Sequence, residues 1–173
     1  MRSLVFILTF ILTSVIYGQQ RSYHEDAIKY LEINGTEQQY EGAVDQMFVM
    51  LQQQYQDRNV PDSVWDELKN QKEDAIINIK SLLVSAYRSN FSQDDIRQLI
   101  TFYESETGSQ VVADITQLTD AQKAELNAFY NSEVGKKVQN QSETLTMMVS
   151  EVSELWSRSL YEQTIEKLTG KGY

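Results

Sequence analysis

Acidic side chains are the most abundant groups in this chain that could do chemistry. The 25 Asp and Glu residues include several close pairs: Glu73 with Asp74, Asp94 with Asp95, Glu104 with Glu106, and Glu151 with Glu154. Two carboxylates can hydrolyse a glycosidic bond when they face each other across a cleft at a defined separation. These pairs instead lie at predicted helix starts or on polar helix faces. We therefore predict a protein that is not an enzyme and has no catalytic residue, and keep a carboxylate-based hydrolase as an alternative.

Other catalytic and metal-binding residue types are scarce. His24 is the only histidine and the chain has no cysteine, so a multi-histidine metal site and a thiol nucleophile cannot be built within one chain. No phosphate-binding glycine loop and no EF-hand pattern occurs. We predict no metal site and no cofactor, and expect His24 on the surface.

Aromatic side chains are the candidates for binding rather than catalysis. Tyr103, Tyr130 and Trp156 fall on or beside apolar stripes, where they could be half-buried core residues. Amphipathic aromatic rings also suit binding grooves, because one end is apolar and the other polar. These three residues are our predicted binding positions.

The N-terminus indicates the compartment of the protein, and the net charge disfavours one class of partner. Arg2 precedes a short apolar run over residues 4–16 and a polar segment, the pattern of a secretory signal peptide ending at Gly18. An uncleaved anchor is the alternative. We predict export, to the periplasm or beyond the cell, of one domain over residues 19–173 with no membrane span. The formal net charge of −10 disfavours nucleic acid as a partner.

Helical periodicity dominates the rest of the chain. Proline occurs once and glycine seven times, and apolar residues recur at intervals of three and four, so we predict an all-α bundle. Ser22, Ser92 and Thr119 are predicted N-caps, and residues 36–39 fit a capping box. No helix breaker occurs from Glu133 to about Leu168. This long C-terminal helix could pack across the domain or pair with a second copy as a homo-oligomer, and residues 170–173 are expected to be a frayed tail.

An internal repeat links residues 91–112 to residues 118–139 at an offset of 27. In each unit Leu and Phe-Tyr end one helix, Ser-Glu begins the next, and a glycine follows in its first turn. The serine is expected to cap the second helix, while the glycine lets the first helix approach closely. We therefore predict two helix–corner–helix units. Their corner residues are Phe102, Ser105 and Gly108 in the first unit, and Phe129, Ser132 and Gly135 in the second.

The two corner sequences also resemble those of a known family. F-Y-E-S-E-T-G-S-Q-V-V and F-Y-N-S-E-V-G-K-K-V are similar to the F-Y-x-S-P-x-G-K-K-L element of exported bacterial proteins catalogued as domain of unknown function 2059. Weaker similarities, such as Pro61 followed by Trp65, extend the resemblance over residues 27–138. Glu106 and Glu133 stand where that family often has proline. The resemblance implies an all-helical periplasmic protein and no assigned activity.

These observations favour an interaction role. We predict a module that binds another protein of the cell envelope, with a contiguous exposed apolar patch between Met147 and Leu160. The alternative is a carrier that holds a small apolar ligand in an enclosed pocket between helices.

Overall fold

Helices make up nearly all of residues 21–173, the part of the chain that this computed structural model describes. The predicted signal peptide, residues 1–18, lies outside the described residues. The α-helices are α1 (Tyr23–Ile33), α2 (Thr36–Gln54), α3 (Asp62–Lys69), α4 (Lys72–Asn90), α5 (Gln93–Tyr103), α6 (Glu106–Asp114), α7 (Asp120–Asn131) and α8 (Glu133–Gly170). Short 3-10 helices cover Gln56–Arg58 and Ile115–Gln117, and residues 21–173 contain no strand. The all-α prediction is confirmed.

The hydrophobic core surrounds α4. Ile79 and Leu83 of this helix are almost completely buried and form a core cluster with Leu31 of α1, Leu51 of α2 and Leu99 of α5. The helices pack because each has an apolar stripe that is shielded from water only against its neighbours. Helix α4 contacts α1, α2 and α8, and α1 contacts α2, α4 and α5, so these two helices connect the bundle.

Most predicted helix starts are confirmed. The hydroxyls of Ser22, Ser92 and Thr119 each accept a hydrogen bond from the backbone N–H three residues later, and all three positions are complete capping boxes. The predicted capping box at Thr36 is wrong. Gly35 is the N-cap of α2 in the left-handed conformation (φ 87°), and the Thr36 N–H donates to Asn34 Oδ1 at 3.0 Å. Asn34 thus takes the role predicted for Thr36.

The two corners have the same local geometry. Ser105 Oγ accepts a hydrogen bond from the Gly108 N–H at 3.0 Å and donates one to the Phe102 carbonyl oxygen at 2.6 Å. Ser132 makes the equivalent bonds to Gly135 at 3.1 Å and Phe129 at 2.6 Å. Ser105 and Ser132 are therefore the N-caps of α6 and α8, whereas the duplication of the sequence itself stays a prediction.

Glycine is required at both corners because two backbones meet there. A Cβ atom at Gly108 would lie 2.6 Å from the Tyr103 Cα, and one at Gly135 would lie 2.8 Å from the Tyr130 Cα. Each distance is far inside van der Waals contact. The corners also contact each other, because the rings of Phe102 and Phe129 stack with centroids 3.9 Å apart.

Helix α8 has 38 residues and is about 57 Å long at 1.5 Å per residue. It packs along α4 and α7. The predicted frayed tail is wrong, because the chain ends in a Schellman motif. The Tyr173 N–H donates to the Leu168 carbonyl oxygen and the Gly172 N–H to that of Thr169, with Gly172 at φ 94°. Tyr173 packs against the core, which holds the end of α8 in place.

Two charged side chains are buried with partners. Asp26 on α1 accepts hydrogen bonds from Arg97 Nε at 2.9 Å and Gln93 Nε2 at 2.8 Å. Arg21 Nε forms an ion pair with its other oxygen at 3.1 Å, in a geometry that makes no hydrogen bond. Lys80 on α4 binds two carboxylates from other helices. These pairs satisfy the charges that burial would otherwise destabilise.

Glycine-to-alanine substitutions test the corners. We expect Gly108→Ala and Gly135→Ala each to lower the unfolding free energy by about 1–3 kcal/mol, because the new methyl group overlaps backbone atoms. Gly42→Ala, inside α2 with nothing within 4 Å, is the control and should gain up to about 1 kcal/mol of helix propensity. Urea denaturation measures all three. A corner variant as stable as Gly42→Ala would contradict the close approach.

A matched pair of aspartates tests the buried charge. Asp26 and Asp94 both lie near Arg97, but the Asp26 side chain is fully buried whereas the Asp94 side chain is 88% exposed and 3.9 Å away. Asp26→Asn should cost about 1.5–3 kcal/mol, the usual range for hydrogen bonds to charged groups. Asp94→Asn should cost less than about 0.5 kcal/mol, as exposed pairs do. Equal losses in thermal or urea unfolding would show that Asp26 does not anchor α1 to α5.

Candidate functional site

A long groove between α4 and α8 is the main surface feature beside Trp156. The two helices run antiparallel, since Asn90 Nδ2 near the end of α4 contacts Met148 Sδ at 3.4 Å while Lys167 near the end of α8 bonds to Gln71 before α4. Between them lies an open groove of about 620 Å³. We call it the α4–α8 groove.

The lining of the α4–α8 groove combines apolar side chains with amide and hydroxyl groups. Its residues are Gln71, Asp74, Ala75, Asn78 and Leu82 on the α4 side, and Val152, Leu155, Trp156, Ser159, Leu160, Gln163 and Lys167 on the α8 side. Leu155 is 67% exposed and Leu82 is 43% exposed. These two side chains are exposed because they lie at the edge of the buried stripes of their helices.

Trp156 separates this groove from a second one. Trp156 is 7% exposed and its ring packs edge-on against Tyr40 at 5.4 Å, while the Tyr40 hydroxyl shares a 2.5 Å hydrogen bond with Ser153. Trp156 and Leu160 also line a groove of about 380 Å³ between α2 and α8, the α2–α8 groove. The α2 side of that groove is rich in methionine, with Met47 and Met50, and Met50 is half exposed.

The other predicted binding residues lie elsewhere. Tyr103 is half-buried, packs edge-on against Tyr30 at 5.7 Å, and lines a groove of about 930 Å³ whose lining mixes polar and apolar residues, such as Gln38, Gln39 and Val112. Burial and the neighbouring Tyr130 raise the pKa of Tyr103. Tyr130 is 40% exposed on the second corner. The structure does not bring Tyr103 and Trp156 to one groove, so binding at these positions stays a prediction.

Several acidic groups serve local structure. Hydrogen bonds from the Ser22 backbone and side chain lower the pKa of Glu25, and those from Thr116 and Gln117 lower the pKa of Asp114. At Asp95, partial burial acts to raise the pKa, but Lys137 at 2.5 Å and the donors of Ser92 outweigh it and the pKa is lowered. A carboxyl group that acts as a general acid near neutral pH needs the opposite shift.

The structure of residues 21–173 also bears on metal binding and on membrane insertion. Within residues 21–173, no group of three or more His, Asp or Glu side chains is placed to hold a metal ion. None of the helices in this range combines the length and apolar character that a bilayer span needs. His24 is exposed, as predicted.

The burial of Asp26 and Lys80 and the polar lining of the α4–α8 groove were not predicted from the sequence. Asp26 lies four residues before Tyr30, and Lys80 four residues after Ile76, so their spacing places both on buried stripes. That signal was readable in the sequence. Asn78 and Ser159 carry no such signal, because their meeting across the groove depends on how α4 and α8 pack.

Comparison with known proteins gives one match. Residues 78–123 match the model of a family described as an uncharacterised protein conserved in bacteria, DUF2059. The match runs from the middle of α4 to the start of α7, includes the first corner, and is shorter than the predicted resemblance over 27–138. No curated protein and no solved structure matches the chain. The resemblance to the uncharacterised bacterial family DUF2059 is thus confirmed over the segment that contains the first corner.

Proposed function

We propose that this protein is an exported, non-enzymatic module that binds another protein of the cell envelope through the α4–α8 groove. The observation that carries the proposal is the open apolar surface formed by Leu82 and Leu155 above the buried Trp156. Leu155 lies in the segment where the sequence predicted an exposed apolar patch.

The energetics of burial favour a protein partner at this surface. Fully burying a large apolar side chain stabilises a complex by about 1.5–3 kcal/mol. Leu82 and Leu155 are free to supply such burial, and the polar groups at the groove edges, among them Asn78 and Gln163, can bond to a partner that covers them. This arrangement of an apolar centre and a polar rim is typical of protein interfaces.

The lowered carboxyl pKa values support a non-enzymatic role. Glu25 and Asp95 cap helices and Asp114 begins a turn, so their hydrogen bonds are used for local structure. The hydrolase alternative requires a carboxyl group with a raised pKa facing a second one across a cleft. Export rests on the predicted signal peptide, and the periplasm as the destination rests on the resemblance to a family of exported bacterial proteins.

Site-specific photocrosslinking in the bacterial envelope tests the proposal. A benzoylphenylalanine at Ser159, inside the groove, should give an adduct with a specific partner, whereas one at Ile115, exposed and outside the groove lining, should not. The double variant Leu82→Ala, Leu155→Ala should lower the adduct yield at least tenfold because it removes the apolar contacts. The adduct yield is measured from the mass shift on gels, and the captured partner is identified by mass spectrometry.

The control variant is Val49→Ala, Ile77→Ala, which removes the same kind of exposed apolar side chain outside the groove lining. It should leave the adduct yield unchanged. Both double variants should lower the unfolding free energy by no more than about 2 kcal/mol, because the four side chains are only partly buried. Equal adducts at Ser159 and Ile115, or turnover on a glycan panel, would contradict the proposal.

A small apolar ligand is the second candidate, and the α2–α8 groove favours it. Its volume of about 380 Å³ lies within the range of small-molecule sites, and Met47, Met50, Trp156 and Tyr161 give it a mostly apolar lining. The groove is open, unlike the enclosed pocket that the sequence predicted for a carrier.

Fluorescence of Trp156 tests this candidate. The chain has two tryptophans, so Trp65→Phe leaves Trp156 as the sole reporter. A carrier should show a saturable change in emission with palmitate, lost on Met50→Lys but kept on Val49→Lys, an exposed position on the same helix outside the groove lining. No saturable change, or equal loss in both lysine variants, would contradict the ligand function.

A further inference from the structure

We propose that the occupant of the α4–α8 groove is a basic amphipathic helix of the partner protein. This inference rests on the proposed function and adds the chemistry of the partner. Three features carry it: the dimensions of the groove, the acidic groups along its edges, and the charge that a second copy of this chain would bring.

The groove has the dimensions of a short helix. Its lining extends over residues 71–82 on the α4 side and 152–167 on α8, which correspond to about 16 Å and 22 Å at 1.5 Å per residue. A helix of about 11–15 residues spans the same length. Both walls are helices whose backbone groups are bonded internally, so they offer no free edge to an extended peptide.

An acidic stripe borders the groove on α8. Glu151, Leu155, Glu162 and Glu166 are all exposed and, at 100° per residue, fall within an arc of about 60°. Leu155 lines the groove, so the three glutamates lie along the same edge. On the opposite wall the exposed Asp74 is part of the lining.

These four carboxylates make no ion pair with any other residue between 21 and 173. Neither nearby basic group pairs with these four carboxylates: Arg158 pairs with Glu154 at 2.7 Å, and Lys167, which lines the groove, donates to Gln71 at its end. An apolar groove with unpaired acids on both edges complements a helix that has leucine-like side chains on one face and Lys or Arg beside them. Such complementarity contributes mainly to specificity and to the association rate.

The same charges disfavour a second copy of this chain. Two α8 helices packed groove to groove would bring their glutamate stripes together, on molecules that each have a formal net charge of −10. An anionic lipid surface is disfavoured for the same reason. A cationic helix is the occupant that satisfies both the apolar and the acidic groups of the groove.

A designed helix tests the inference on the mature chain, residues 19–173. The probe is a fluorescein-labelled 14-residue Leu/Lys peptide with leucines on one helical face, measured by fluorescence anisotropy. It should bind at least tenfold more tightly than a Leu/Glu peptide of the same pattern and than a Leu/Lys peptide whose order removes the apolar face. Affinity should fall as salt screens the exposed charges.

Charge-neutralising variants locate the binding. Glu151→Gln, Glu162→Gln, Glu166→Gln should weaken binding of the patterned peptide about tenfold and reduce its salt dependence. The control Asp57→Asn, Asp66→Asn, Glu143→Gln removes the same charge at exposed, unpaired positions outside the groove lining, and should change affinity less than twofold. Equal effects of the two triple variants, or equal binding of the rearranged peptide, would overturn the inference.

The photocrosslink at Ser159 separates failure of the inference from failure of the proposed function. If it captures a partner segment that is not basic and helical, the inference is wrong but the proposed function still holds. If it captures a second copy of this chain, the inference is wrong. If Ser159 captures nothing above the Ile115 control, the proposed function itself is wrong.

Discussion

The close backbone approach at the serine–glycine corners is the constraint on which the rest of the structure depends. At each corner a serine hydroxyl bonds to the helix before and the helix after it, and a glycine removes the side chain that would keep the two apart. This geometry fixes the direction in which α6 leaves α5 and α8 leaves α7. Because α8 continues for 38 residues without a break, the angle set at Ser132 determines where its last turns lie.

That direction brings the C-terminal half of α8 against α2 and α4. The Schellman motif and the contacts of Tyr173 hold its far end, so α8 is fixed at both termini. Between them Trp156 fills the space next to Tyr40, and the helix surfaces on either side of it form the two grooves. The candidate interaction surface is thus a consequence of the second corner. Ser132 of that corner lies 24 residues before Trp156, which is about 36 Å along the helix.

The corner residues and the helix caps were predictable because they are local. Ser105 and Ser132 bond to groups three residues away, and the capping boxes at Ser92 and Thr119 have the same span, so sequence spacing alone identifies them. The error at Thr36 has a local cause as well. Two capping side chains, Asn34 and Thr36, compete for the same helix start, and Gly35 in the left-handed conformation allows Asn34 to cap it.

The sequence by itself determined the helical class, the corners, the continuous C-terminal helix and the resemblance to an uncharacterised bacterial family. Only the tertiary structure decided which apolar side chains stay exposed and which charges are buried. The bond from Arg97 to Asp26 spans 71 positions and that from Lys167 to Gln71 spans 96. Helical periodicity gives the direction of a side chain on its own helix, whereas the neighbour it meets depends on how distant helices pack. The α4–α8 groove, and the position of the glutamate stripe along its edge, therefore became visible only in the folded chain.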